Sequence, residues 1–343
     1  MIAFVNWKIF RRTLIPFQES YVELAACLAV FFLALVCVAV KSRRQSWRHI
    51  VQGVSVLVFF FVVRSCLGVF GLIRNAFHGA SLIGKDDLNA FYFLSMTVVI
   101  LSVALHSGAI FCGWICPTGT MQEVVGKGRR LFQKKKTHVV LGSRISLLTI
   151  LAGMGIFVWF VYRIFGNRRP LPEDSAVLWV TSLVVISSFA MLFSRRERAL
   201  RNFRVLSLAF ILFSIFLGIS VYSPVHFIYS DVRDWASELS TIAIVSSAIW
   251  VSRAWCRYLC PFGYVCSQLN RVALRRVVVS PGCSECDRCG QVCEVGAIER
   301  GKLNSSACIM CLACVDACPS RCIRYVNQGE YAGGDACATG SGA

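Results

Sequence analysis

Charge is what this chain has least of. Only 16% of its 343 residues are Asp, Glu, Lys or Arg, against 56% hydrophobic, and the mean hydropathy is +0.63. So few ionised side chains cannot clothe a water-soluble globule of this length, which excludes an ordinary soluble enzyme and points to several membrane spans. Acidic residues are scarcer still, 18 against 36 basic, for a net charge of +18. Most of that surplus sits in short connections between apolar runs, so it reports membrane topology, and nucleic acid is not expected as a partner. Five histidines leave little material for haem. Cysteine is the exception to scarcity, with 18 residues.

Apolar runs cover 20–40, 51–73, 90–111, 145–164, 176–193, 205–223 and 239–255. Most approach the roughly 20 residues that cross a hydrocarbon core. Lys and Arg number four in 41–50, seven in 112–144 and five in 194–204, but two in 74–89, two in 165–175 and one in 224–238. Positive-inside bias therefore predicts the first three connections in the cytoplasm and the amino terminus outside. Residues 1–19 are expected as an interfacial stretch, with Trp7 as an anchor and Lys8, Arg11 and Arg12 pulling weakly the other way. The basic run from Lys127 to Lys136 is expected on anionic lipid headgroups.

From Cys283 to Cys318 the chain reads C-x2-C-x2-C-x3-C, then, after fourteen residues, C-x2-C-x2-C-x3-C-P. This is the bacterial ferredoxin spacing, in which three close thiolates wrap one cubane and the distant fourth closes the other. It predicts one [4Fe-4S] cluster on Cys283, Cys286, Cys289 and Cys318, and a second on Cys308, Cys311, Cys314 and Cys293. The halves repeat at an offset of 25, with Ala297-Ile298 matching Cys322-Ile323. Glu294 stands where the first half would carry proline, and Cys322 is expected as a small buried residue. Thiolates that hold iron must escape oxidation, which places this lobe on a reducing, cytoplasmic side rather than in a secreted disulfide scaffold.

Two further pairs end the third and seventh spans, in FCGWICPTG and WCRYLCPFG. Each is C-x3-C-P, with thiols a helical turn apart and a proline that disfavours helix at the residue before it. Four spans separate them, so both return to one membrane side. Cys112, Cys116, Cys256 and Cys260 are then candidates for one further iron–sulfur centre, a copper or zinc site, or reversible disulfides. The alternative is four packed helix-end cysteines.

The strings CGWICPTGTMQE and CRYLCPFG, followed by a two-cluster ferredoxin segment, resemble the NosR/NapH family of membrane polyferredoxins over roughly residues 90–326. That resemblance implies single-electron transfer between a quinone, quinol or low-potential donor and a partner redox protein, such as a flavoprotein or a periplasmic metalloenzyme system. It carries over the eight ferredoxin cysteines and the four paired ones. Long NosR-type proteins place an outer flavin domain before their spans; no flavin attachment motif stands in residues 1–19, so flavin is expected only through a partner.

Lone polar residues in spans complete the candidates. Arg64 is central in the second span, where an arginine costs about 2.5–3.5 kcal/mol and calls for a partner, a wet cavity or a quinone. His106 is expected packed or facing a quinone; as a haem ligand it would need His49 as its mate. Cys27, Cys37 and Cys66 lack metal spacing and are expected as packing residues.

The expected architecture is mainly α. A polytopic membrane helix bundle of about seven spans (20–261) leads through an amphipathic connector (262–282) into a small α+β ferredoxin-like 2[4Fe-4S] domain (283–326) and a disordered tail (327–343). The expected location is the inner membrane, with the ferredoxin lobe in the cytoplasm. The expected function is quinol-linked electron transfer, with no acid–base or nucleophilic chemistry on this chain. An assembly or metal-handling factor and a redox-sensing regulator are the alternatives.

Overall fold

The computed structural model describes residues 20–40, 43–62, 98–132, 201–202, 204–209, 212, 235–249, 251–281 and 283–328. The expected interfacial stretch 1–19, the spans 145–164 and 176–193, and Arg64 and Cys66 lie outside the described residues. Among the described residues no helix is long and apolar enough to cross a membrane.

Helix α1 (Ser20–Ala39) packs against α2 (Arg44–Leu57), which winds on through a wider π turn over Val58–Val62. Cys27 and Cys37 are buried in the α1 core, as packing residues should be. α2 is built inside out. Arg44, Arg48, Gln52 and Ser55 follow one another at helical spacing on one face and are all buried, while Trp47, Ile50 and Leu57 point outward. Arg44 and Arg48, counted as loop charges in 41–50, therefore belong to the first turns of a helix and face the protein interior, while Arg43 just before it is exposed.

The helix over 98–107 stops at Gly108, whose φ of +72° suits glycine. A Cβ there would also meet Asn270 Oδ1 at 2.6 Å. The chain then makes a π turn over Phe111–Ile115, closed by the Cys116 N–H on Phe111 O at 2.8 Å, and enters α3 (Pro117–Phe132). The same device recurs after α4 (Trp235–Ser246): a π turn over Trp255–Leu259, closed by the Cys260 N–H on Trp255 O at 2.8 Å, and then α5 (Pro261–Leu269). Each proline opens its helix, where the missing N–H costs nothing. Phe111 stacks on Phe31 of α1 at 5.8 Å and meets Phe262 of α5 edge-on at 5.4 Å, so the two turns share one core.

The carboxy-terminal lobe is a small α+β unit. β1 (Arg275–Val279) pairs antiparallel with β4 (Ile323–Asn327), with Val277 opposite Tyr325. A hairpin of β2 (Ile298–Glu299) and β3 (Lys302–Leu303) lies between them in sequence, with the short helices α6 (Arg288–Val292) and α7 (Ala313–Ala317). The stretch expected as an amphipathic connector is thus the rest of α5 followed by β1. Pairing with β4 makes β1 part of this lobe, which starts near residue 275 rather than 283. The lobe is fastened to the helical part by the Leu274 N–H on Leu105 O at 2.9 Å and the Tyr325 hydroxyl on Ser107 O at 3.2 Å.

Candidate iron–sulfur sites

The second cysteine of each C-x3-C-P motif caps the helix that follows. Cys116 and Cys260 leave the π turn with extended ψ values of 113° and 110°. Their sulfurs then accept the N–H of the glycine three residues on, Gly119 at 3.5 Å and Gly263 at 3.2 Å. The first cysteine of each pair lies inside the wider turn. The four thiols come together: Cys112 and Cys116 both act electrostatically on Cys256, and all three act on Cys260. Burial pushes Cys256 up to about 12, with Cys116 adding to the rise and Arg253 opposing it. Cys112 is raised first by a side-chain hydrogen bond with Cys266, a buried thiol on α5, and then by burial.

A buried polar network grips the first motif. Glu123 on α3 accepts hydrogen bonds from Arg48, from Gln52 at 3.0 Å and from Arg253, and it pairs with Lys127 at 2.6 Å. The same side chains turn to the turn's backbone. Arg48 and Gln52 each donate to Gly113 O at 3.3 Å, Arg253 donates to Cys112 O at 3.1 Å, and Ser55 donates to Ile115 O. Burial alone would raise the Glu123 carboxyl, but Arg253 and Arg48 hold it well below the usual carboxylate range. Arg253 is fully buried with φ +52°, a left-handed conformation forced on a long side chain at the turn where the expected seventh span ends. Arg204 adds another buried cation, over the Tyr264 ring at 5.8 Å and within electrostatic reach of Cys260, Cys112 and Cys256.

In the ferredoxin lobe the left-handed residues repeat with the ligands. Glu285 and Asp287 flank Cys286, Met310 and Leu312 flank Cys311 at an offset of 25, and Gly296 matches Arg321, all with positive φ. The bends expose backbone N–H groups to the thiols. The Met310 N–H donates to Cys308 Sγ at 3.4 Å and the Ala297 N–H to Cys293 Sγ at 3.1 Å. Cys283, Cys286, Cys289 and Cys318 line one cavity, together with Ser284, Arg288 and Ser320. Cys308 and Cys314 each feel Cys311 and Cys293, so the second quartet also converges, across the repeat. Burial pushes Cys308 up to about 12. Cys318 goes the other way: burial would raise it, but the N–H groups of Ile323, Cys322 and Ser320 and the Ser320 hydroxyl hold it below the usual thiol range.

These twelve cysteines take part in no disulfide and form an all-sulfur donor set, the soft chemistry that suits iron–sulfur clusters. Among the described residues no three or more His, Cys, Asp or Glu crowd close enough to share one metal ion. A cubane asks for the wider arrangement, since each thiolate takes a different iron. A cluster held by the four C-x3-C-P thiols would be buried and anionic, and Arg204 and Arg253 stand within electrostatic reach of those thiols.

The second quartet meets the C-x3-C-P site directly. A Cβ on Gly113 would lie 2.4 Å from Ile309 O and 2.9 Å from the Cys311 nitrogen, so the two loops touch backbone to backbone. The Trp114 indole donates to Met310 O at 3.1 Å, and Asn270 donates to Cys308 O at 2.7 Å while its Oδ1 accepts the Ala109 N–H. Glu294, in the place of a proline, is buried and accepts the Ser252 hydroxyl at 2.6 Å, joining the residue after Cys293 to the second motif's approach. Cys322 is fully buried, as expected, but its sulfur is disulfide-bonded, which the sequence reading did not anticipate.

His106 is exposed rather than packed, with Nδ1 2.7 Å from Ser107 Oγ, because the buried face of its helix is taken by Ala104 and Ser107. His49 has both ring nitrogens engaged, by Gln52 at 2.9 Å and Lys127 at 3.1 Å. Sequence reasoning passed over Arg48, Gln52, Glu123 and Cys266; the available signal was the lone acid closing CGWICPTGTMQE within an otherwise uncharged motif.

Comparison with known proteins agrees with this chemistry. A family described as a 4Fe-4S binding domain matches twice, over 89–136 and 235–279, once around each C-x3-C-P motif, and a second family of 4Fe-4S binding domains matches 302–324. The chain is 25% identical to the protein NirI of Paracoccus denitrificans, covering 87% of this chain and 39% of NirI. It is 19% identical to the ferredoxin-type protein NapH of Haemophilus influenzae, over 74% of each. The chain is similar to the NosR/NapH-type 4Fe-4S proteins. It is also 24% identical to the putative electron transport protein YccM of Escherichia coli, covering 66% of this chain and 52% of YccM. An uncharacterized protein of Methanocaldococcus jannaschii is 23% identical, covering 83% of this chain and 96% of its own length, whereas this chain spans only about two fifths of NirI. No solved structure matches.

Proposed function

We propose that this protein is a membrane-anchored electron carrier with three cubane sites, passing single electrons between a quinone, quinol or low-potential donor and a partner redox protein. The observation that carries it is the convergence of twelve thiols into three quartets, one of them built from two C-x3-C-P motifs and seated on the Cys308–Cys311 loop. When bound, the clusters supply reversible one-electron chemistry. The chain's own residues bury them, offset their charge with arginines, donate backbone N–H groups to the ligating sulfurs and hold two loops in contact.

Membrane anchoring draws support from the surface. Phe32 is 70% exposed, Leu57 58%, Val98 53% and Ile242 61%, while α2 turns its arginines inward. Apolar residues outside and charges inside suit a hydrocarbon surround better than water. Together with the positive-inside count, this supports an inner-membrane protein with its ferredoxin lobe in the cytoplasm. Iron and sulfide analysis with electron paramagnetic resonance on anaerobically purified protein is the test. About twelve irons per chain support three cubanes, and about eight limit the reading to the ferredoxin pair. A colourless, iron-free preparation ends it.

A further inference from the structure

The two ferredoxin half-loops share spacing and backbone yet differ in what covers them. Ser284, Glu285 and Cys286 are exposed, while their repeat partners Ile309, Met310 and Cys311 are buried. The side chains follow that division, serine and glutamate on one loop, isoleucine and methionine on the other. Gly113, Trp114 and Asn270 seal the second loop, as described above. Three exposed arginines ring the open one. Arg288 lines the cavity of Cys283 and Cys286, Arg321 follows Ser320 of the same lining, and the Arg300 N–H donates to the lining residue Asp287 at 2.9 Å.

We propose that the open loop around Cys283 and Cys286 is the docking surface for a soluble electron-carrier protein with an acidic rim. The repeat-related loop around Cys308 and Cys311 is the sealed junction to the C-x3-C-P thiols. This rests on the iron–sulfur reading above. Electron exchange between two proteins requires a centre near the surface of each, and among the described residues only one end of this lobe offers one. Arginine guanidinia suit that contact because their planar forks pair carboxylates in bidentate fashion. The exchange moves one electron, oxidising the carrier and reducing this chain or the reverse, and transfers no atom.

The test uses the full chain, purified anaerobically in detergent, with iron content and paramagnetic signals measured first. The probes are a reduced acidic bacterial ferredoxin and a small neutral redox dye. The double variant R288E/R321E should react with the ferredoxin about tenfold more slowly and with a weaker salt dependence. Its reaction with the dye, compared at equal driving force after the midpoint potentials are measured, should match the parent's, and R271E, at an exposed arginine outside the cavity lining, should behave as the parent protein. An aqueous paramagnetic ion complex should speed the relaxation of one ferredoxin signal, and that signal should be the one altered by Cys286→Ser. Unchanged ferredoxin rates in R288E/R321E would overturn the assignment. So would a fast-relaxing signal that answers to Cys311→Ser, or a variant that loses only its binding to anionic lipid vesicles. Each of those results, obtained on iron-loaded protein, leaves the electron-transfer reading standing; absence of iron would remove that reading instead.

Discussion

Arg253 reaches the carbonyl oxygen of Cys112 with Nη1 at 3.1 Å while its Nη2 is held by Glu123. One side chain from the second C-x3-C-P approach thereby fixes the backbone of the first. The two motifs are 144 residues apart in sequence (256 minus 112) and depend on each other's placement. Glu123 is the keystone, because without it Arg48 and Arg253 would be buried cations facing one another.

Glu123→Ala should therefore be among the most damaging single changes in the helical part. Removing one partner of a buried ion pair costs about 3–5 kcal/mol. The expected readout is a lower midpoint in a thermal unfolding scan of detergent-solubilised protein, with loss of the iron attributed to the C-x3-C-P site. Glu123→Gln, which keeps the shape and part of the hydrogen bonding, should fall between.

Replacing Cys112 and Cys256 together by serine should lower iron from about twelve to about eight per chain, with both ferredoxin signals intact. Loss of every signal would show that the third quartet is not a separate site.

Gly113→Ala places a methyl against Ile309 O and the Cys311 nitrogen, at 2.4 and 2.9 Å, where backbone must yield. The lobe should detach from the turn, seen as faster proteolysis between α5 and β1. The magnetic interaction between the second ferredoxin signal and the third centre should weaken, while the first ferredoxin signal stays unchanged.

Glu294→Gln removes a buried negative charge next to Cys293 while keeping an acceptor for Ser252. Less negative charge favours the reduced state, so the midpoint potential of the second ferredoxin centre should rise and that of the first should hold. Redox titration followed by paramagnetic resonance separates the two. Equal shifts in both would count against the assignment of Cys293 across the repeat.

The ligand spacing, the offset of 25 and the likeness of the two C-x3-C-P motifs were open to sequence reading because metal chemistry writes them locally. The surroundings were not. Lys and Arg counts treat basic residues as facing water, so Arg44 and Arg48 registered as topology markers, although both are buried in α2. Arg253 falls near the end of the expected span 239–255, and nothing in its local sequence points to its partner Glu123 on another helix. The run Arg275–Val279 is rich in β-branched valine and could have been taken for a strand. Its mixture with arginine suggested an amphipathic connector, and only pairing with β4 decides the matter. The contrast between the two half-loops was legible in Ser284-Glu285 against Ile309-Met310, once there was a reason to compare them.

Contact through Gly113 has a consequence for how this protein can change over time. The nearest neighbours across the joint are main-chain atoms on both sides. Substitutions in nearby side chains can alter polarity or affinity without lengthening the gap that an electron must cross. Selection can thus retune the energetics of the relay while its span stays the same, and any mutation that gives position 113 a side chain forfeits that independence.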